Sequence, residues 1–302
     1  MNIREKEKNM KKIMVITTLL VLAGIPLSGL AGESSAILGA EGYFAGAMPP
    51  PGAHFINYLM YYHAGELKDN KGDKKPMSFT ADVAAEVLRG IYISDIEILG
   101  ANLGWHLIVP LAYMKLDITG MVDESRASIG DIDFSPFLLG WHTELFHIVA
   151  GLDIIAPTGQ YNEDYAVNIG NNHWTFEPAL AVSMIHPSGI SASVKLMYDI
   201  HTENTKNDLK TGQQFHLDYN AGYMIVENLR LGVCGYYLIG VEDDELDGTK
   251  ISNSKEQVLA VGPSAMYSFN PGLHLVAKVQ FETMAENRPE GTKGWLKVIY
   301  SF

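Results

Sequence analysis

The sequence predicts an all-β fold, a transmembrane antiparallel up-and-down β-barrel of about twelve strands behind an N-terminal signal peptide. Three observations lead there. At the C-terminus, KGWLKVIYSF (residues 293–302) places Leu296, Val298, Tyr300 and Phe302 on one strand face, with Trp295, Lys297 and Ser301 among the residues opposite. A period-two strand, apolar outside and polar inside, is what lipid on one side and a lumen on the other require. At the N-terminus a basic pair precedes one short apolar run, and no second long apolar run follows, which excludes helical spans. Between the two ends, the breaks in the alternation are short and long by turns, as periplasmic turns and outer loops are in bacterial barrels.

Taken in order, residues 1–31 read as a secretory signal. Lys11 and Lys12 precede apolar residues 13–27, and Gly29-Leu30-Ala31 supplies small residues, so cleavage is expected near Ala31. The run is short and broken by Pro26, which makes a retained helix the weaker reading. Met10 is a candidate true start, and no Cys directly follows the signal to carry a lipid anchor. Residues 32–54 are expected as a periplasmic lead-in. Their Pro49-Pro50-Pro51-Gly52 is stiff and extended. It either closes the periplasmic mouth or leads into the wall, and the second reading is favoured.

Residues 55–302 make the barrel. The expected strands are residues 55–67, 77–93, 96–118, 128–141, 146–156, 173–185, 190–202, 211–225, 229–241, 255–269, 273–284 and 293–302. The third is overlong, and Pro110 is where it would break. Three central segments carry the alternation most clearly. Trp174, Phe176, Leu180 and Val182 oppose Thr175, Glu177 and Ser183; Ile190, Val194, Leu196 and Ile200 oppose Ser191, Lys195, Asp199 and His201; Phe215, Leu217, Tyr219 and Tyr223 oppose His216, Asp218 and Asn220.

A soluble sandwich would alternate in the same way, with its apolar face as core. The connections separate the two. Residues 94–95, 142–145, 186–189, 226–228 and 270–272 are tight turns and make one rim. Residues 68–76, 119–127, 157–172, 203–210, 242–254 and 285–292 are longer and more polar and make the other. A sandwich has no reason to sort its connections this way.

Without residues 1–31 the chain keeps 17 basic and 33 acidic side chains, a net charge of about −16. It lacks the Lys and Arg clusters that phosphate contact needs, so no nucleic-acid partner is expected. The single Cys234 forms no internal disulfide and reads as a small wall or lumen residue. The barrel is expected to meet outer-membrane lipid and lipopolysaccharide, and to engage the barrel-assembly machinery through the strand ending in Phe302.

Several stretches together resemble the outer-membrane family named for the meta-pathway of phenol degradation. They are GAMPPPGAHFINYLMYYHAGELKDNKG (residues 46–72), GDIDFSPFLLGWH (130–142), APTGQYN (156–162), NIGNNHWTFEPALAVS (168–183), GQQFHLDYNAGY (212–223), GVCGYYLIGVEDD (232–244) and AENRPEG (285–291). In order they cover nearly all of the chain behind the signal. The resemblance implies an outer-membrane barrel associated with catabolism of aromatic or other hydrophobic compounds, with a role in their uptake. It supplies no binding residues.

Face assignment gives only which residues point inward. Asp133, Asp153, Glu177, Lys195, Asp199, His216, Asp218, Lys278 and Glu282 are the lumen-lining candidates, and Asp131, Gln280 and Lys297 fall on the same side. They would either pair and fill the interior or line a narrow pore. Tyr161 and Tyr165 in the longest outer loop, with Arg288 in the last, are the constriction-loop candidates. His142 and His147 flank a periplasmic turn, and His201 and His216 sit near the outer rim on neighbouring strands with Asp199 and Asp218, which admits acid–base or metal chemistry. No HExxH and no GxSxG accompanies them, so no catalytic residue, metal site or cofactor is assigned. Three functions remain open: passive transport of a small hydrophobic or aromatic ligand, a structural or surface-interaction barrel with a filled lumen, and an outer-membrane hydrolase.

Overall fold

The computed structural model describes residues 37–302, so the signal peptide expected over residues 1–31 lies outside the described residues. The strands are β1 (Gly52–Leu67), β2 (Phe79–Ile98), β3 (Ala101–Ile118), β4 (Val122–Ile129), β5 (Ile132–His142), β6 (Phe146–Ala156), β7 (Thr175–Ile185), β8 (Ile190–His201), β9 (Leu209–Lys210), β10 (Gln214–Val226), β11 (Leu229–Gly240), β12 (Glu245–Leu246), β13 (Thr249–Lys250), β14 (Gln257–Asn270), β15 (Leu273–Glu286) and β16 (Pro289–Ser301). Neighbours in sequence pair antiparallel, and β1 closes the ring on β16, from His54 opposite Ser301 to Leu67 opposite Pro289. The result is a 12-strand closed barrel. The short β9, β12 and β13 form a separate sheet in the connections beside β8, β10, β11 and β14.

One wall position is split between two strands. Beside β3, β4 pairs with Leu111 to Ile118 and β5 with Asn102 to Ile108. Pro110 lies at the gap and has no N–H to give a ladder. Only its carbonyl is used, accepting from Gly130 N at 2.9 Å. Pro110 therefore breaks its partner strand, while β3 itself runs on unbroken.

Period two sorts the faces as the alternation requires. Phe176, Leu180, Ile190, Ile200, Tyr223, Ile225, Leu296 and Tyr300 are exposed on the outside, whereas Glu177, Asp199, His216, Asp218, Lys278 and Lys297 are buried inside. An apolar outer belt over a polar interior reverses the plan of a soluble sandwich and matches a barrel in lipid.

Three boundaries differ from expectation, each for a local reason. The chain does not turn at residues 94–95. Ser94 Oγ donates to Leu103 O at 2.8 Å and accepts from Ile96 N at 3.2 Å, carrying the strand through a bulge to a turn at Leu99 and Gly100. Both turn residues have positive φ, 52° and 76°. Residues 119–127 are not a loop: the turn closes after residue 121 and β4 begins at Val122. Glu124 and Arg126 share one face of β4 and pair at 2.6 Å, so a polar run that reads as loop is the aqueous end of a hairpin. Residues 285–292 likewise shrink to a turn at Asn287 and Arg288 between β15 and β16.

Candidate functional site: a plugged, two-sided lumen

The expected lead-in, from its first described residue, runs inside the barrel. It leaves β1 at the periplasmic rim and circles the inner wall. Met48 packs on Gly140, and Gly46 N donates to Ser183 Oγ at 2.8 Å. Phe44 N donates to Ser193 Oγ at 3.1 Å, and Gly39 N and Glu41 N to the two carboxylate oxygens of Asp218 at 2.8 Å each. Lys278 Nζ donates in return to the carbonyls of Gly39, Ala40 and Glu41 at 2.5, 2.9 and 2.7 Å. Lys278 and Asp218 thus bind this segment's backbone rather than each other.

Two glycines let the plug pass so close. A Cβ on Gly46 would sit 2.8 Å from the wall carbonyls of His147 and Ala181. Gly39 has φ 79° and lies against the Gln280 side chain, a conformation and a space that only glycine tolerates cheaply.

Glu41 is the plug's charged anchor. Its carboxylate accepts from Arg89 Nη1 at 2.6 Å, Lys297 Nζ at 2.8 Å and Tyr58 OH at 3.3 Å. Burial alone would raise its pKa, but Lys297 and Arg89 outweigh that and hold the carboxyl well below the usual range.

From Glu41 a chain of charges crosses the wall. Arg89 Nη2 donates to His106 Nδ1 at 2.8 Å, and His106 Nε2 faces Asp153 at 3.3 Å and Asp133 at 3.7 Å. Lys195 bridges Asp153 at 3.3 Å and Glu177 at 3.4 Å, and His216 Nε2 stands 3.4 Å from Glu177 and 3.3 Å from Asp199. A second group gathers on Glu282, which accepts from Tyr62, Tyr236 and Gly291 N. Arg288 lies 3.9 Å from Glu282 and 3.2 Å from Glu256.

Between these groups and the opposite wall lies a cavity of about 330 Å³, at the small end of ligand pockets. The face contributed by β1, β2 and β3 is apolar, with Met60, Val83, Ala85, Ala112, Met114 and Leu116. The facing side carries Asp133, Asp153, Glu177, Lys195, His216, Asp218, Glu282 and Arg288. Asp199 is buried behind His216, and Lys278 behind the plug. The cavity is amphipathic, with a hydrophobic stripe opposite a charged one.

Residues 157–174 fold over the outer end of this cavity. Asp131 pins both arms of the loop, accepting from Gly159 N at 2.8 Å and Asn171 N at 2.7 Å. Val167 is fully buried in a cluster with Leu67, Phe79, Leu116 and Ile118, and Ile169 lines the cavity. Of the constriction-loop candidates Tyr161, Tyr165 and Arg288, Arg288 lines the cavity and the two tyrosines do not. Tyr165 is held flat under Arg126, whose guanidinium carbon lies 3.2 Å from the ring centre.

Glu41, Arg89, His106 and the tyrosines at 58, 62 and 236 were not among the candidates. Arg89 and His106 sit on inward positions of strands whose other inward residues are apolar, so extending the alternation through β2 and β3 would have found them. Nothing in the local sequence marks Glu41, because its partners come from β1, β2 and β16.

A family profile described as "Putative MetA-pathway of phenol degradation" matches residues 64–298. The chain belongs to this family. Among solved structures, the fold is similar to an outer membrane channel from Pseudomonas putida F1, at 16% identity and TM-score 0.77, covering 86% of this chain and 98% of that one. It is also similar to the β domain of the Bordetella autotransporter BrkA, at 11% identity and TM-score 0.52, covering 84% and 100%. The translocator domain of the Neisseria meningitidis autotransporter NalP matches at 9% identity and TM-score 0.50, covering 85% and 91%. At these identities the likenesses establish the fold, that of outer-membrane barrels. A search of the curated proteins finds no match.

Proposed function

We propose that this family member is a passive outer-membrane conduit for small hydrophobic or aromatic compounds. The observation that carries the reading is the apolar stripe of β1, β2 and β3 inside a lumen whose other walls are charged. A barrel that passed only water and ions would gain nothing from that stripe, whereas an aromatic ligand could lay its flat face against it. The protein acts in the bacterial outer membrane after export and cleavage near Ala31, among lipid and lipopolysaccharide, with the strand ending in Phe302 presented to the assembly machinery. Its role on this reading is passage rather than catalysis, and neither HExxH nor GxSxG accompanies its histidines.

The test is uptake of N-phenyl-1-naphthylamine by cells with intact lipopolysaccharide. Cells making the wild-type barrel should take up the dye several-fold faster than vector controls, and Ala85→Trp or Ala112→Trp, which fill the cavity, should return to the control rate. Equal rates in wild type and filled variants would refute the reading. A second reading, a structural barrel with a filled lumen, is favoured by the plug. It predicts control-level uptake throughout, with no conductance even after the plug is displaced.

A further inference from the structure

We propose that Glu177, Asp199 and His216, on the neighbouring strands β7, β8 and β10, form a binding site for a divalent transition-metal cation of the zinc type. His216 Nε2 lies 3.4 Å from Glu177 Oε2 and 3.3 Å from Asp199 Oδ2. All three donor atoms lie within 4.8 Å of one another. Donors held about 2.0–2.1 Å from a tetrahedral ion stand roughly 3.3–3.4 Å apart, by the geometry of a tetrahedron. A charge-assisted N–H···O bond would instead be about 2.7–2.9 Å long. The two imidazole–carboxylate spacings are those of ligands around an ion, and the carboxylate–carboxylate spacing is within 4.8 Å.

The site is also built to need a cation. The side chains of Glu177, Asp199 and His216 are 8%, 0% and 2% exposed. Both oxygens of Asp199 and both ring nitrogens of His216 lack a well-aligned hydrogen bond; the 3.3 Å His216–Asp199 contact is an ion-pair approach only, and a buried carboxylate so weakly paired is costly. With His216 as the neutral imidazole a ligand must be, the two carboxylates leave two negative charges, and the nearby Lys195 is shared with Asp153. Three protein ligands beside a cavity, which Glu177 and His216 line, leave a fourth position for water.

The sister cluster of His106, Asp133 and Asp153 has similar distances but the wrong chemistry. Arg89 Nη2 lies 2.8 Å from His106 Nδ1, and a guanidinium can only donate. Nδ1 must therefore be the acceptor and Nε2 must carry the proton, which closes it to a metal. His216 Nδ1 has no such donor beside it, so it is free to hold the proton while Nε2 ligates. The structure thus separates two clusters that composition alone would equate.

Cobalt(II) titration of the refolded, chelator-stripped full-length barrel tests this, read by the visible d–d absorption of a tetrahedral site. Folding of every variant is checked by its heat-modifiable migration on gels. The wild type should bind one equivalent with a tetrahedral spectrum. Asp199→Asn and His216→Gln should weaken binding about 100-fold or more, while His106→Gln binds as wild type. The exposed His142 and half-buried His147, with their Nδ1 atoms 3.0 Å apart, are the rival site, and His142→Gln should leave the band unchanged. Absence of a saturable band in the folded wild type would overturn the proposal. So would a band that survives His216→Gln and Asp199→Asn, or one lost with His142→Gln or His106→Gln. If His216→Gln does not fold, Asp199→Asn and the wild-type spectrum decide.

Discussion

Glu41 shows how much one side chain can do from outside the barrel wall. It joins the plug to β1, β2 and β16 through Tyr58, Arg89 and Lys297. Glu41→Gln should leave Arg89 and Lys297 buried with a neutral partner and cost about 3–5 kcal/mol, measured by urea unfolding from lipid vesicles. The pH dependence has a definite sign. Because the folded-state pKa is depressed, its stabilisation is complete above about pH 4.3, the ordinary glutamate value. It is lost as pH falls from there through the folded value, because the unfolded chain takes up a proton that the folded chain refuses. Wild-type stability should therefore fall more steeply than that of Glu41→Gln below about pH 4. Parallel profiles would show that the ion pairs do not anchor the plug. The inward acids and bases of β6, β7, β8, β10 and β15 were legible from period two, since a strand has only two faces. Glu41 was not, because a plug has no periodicity and its partners are long-range.

At the scale of elements, the unexpected features trace to residues that break a ladder or replace one. Pro110 withholds an N–H and divides its neighbour into β4 and β5, and the gap places Asp131 where it can hold the outer loop. The two charge-assisted hydrogen bonds that Asp131 accepts from the backbone N–H groups of Gly159 and Asn171 contribute about 1.5–3 kcal/mol each. Asp131→Ala should release residues 157–172 without unfolding the barrel, and limited proteolysis should then cut within that loop many times faster than in the wild type. Unchanged cleavage would mean that Val167 and its cluster hold the loop unaided. The plug's close approach makes a parallel expectation. Gly46→Val cannot pass between the carbonyls of His147 and Ala181, so it should displace the plug and raise single-channel conductance above wild type. Turn positions were read well where Pro, Gly, Asn or Asp marked them. They were misread at residues 94–95, where Ser94 bridges the ladder, and at residues 119–127, where charge suits a strand standing in water.

For the whole molecule, closure of β1 on β16 makes an interior that the sequence could describe only as mixed and charged. Folding divides it. β1, β2 and β3 bring an apolar face edged by Arg89 and His106, the strands from β5 round to β16 bring most of the charges, and the plug occupies the space on the periplasmic side. That division decides what the lumen can bind. It depends on the relative positions of strands far apart in the chain, which no single segment encodes. The direct check is anomalous diffraction from crystals of the full-length barrel soaked with 1-bromonaphthalene. A bromine peak inside the barrel, against Met60, Val83 and Ala112 and on the outer side of Glu41, is the expected result. Peaks confined to the outer lipid-facing belt, with the cavity empty or filled by ordered water, would contradict it.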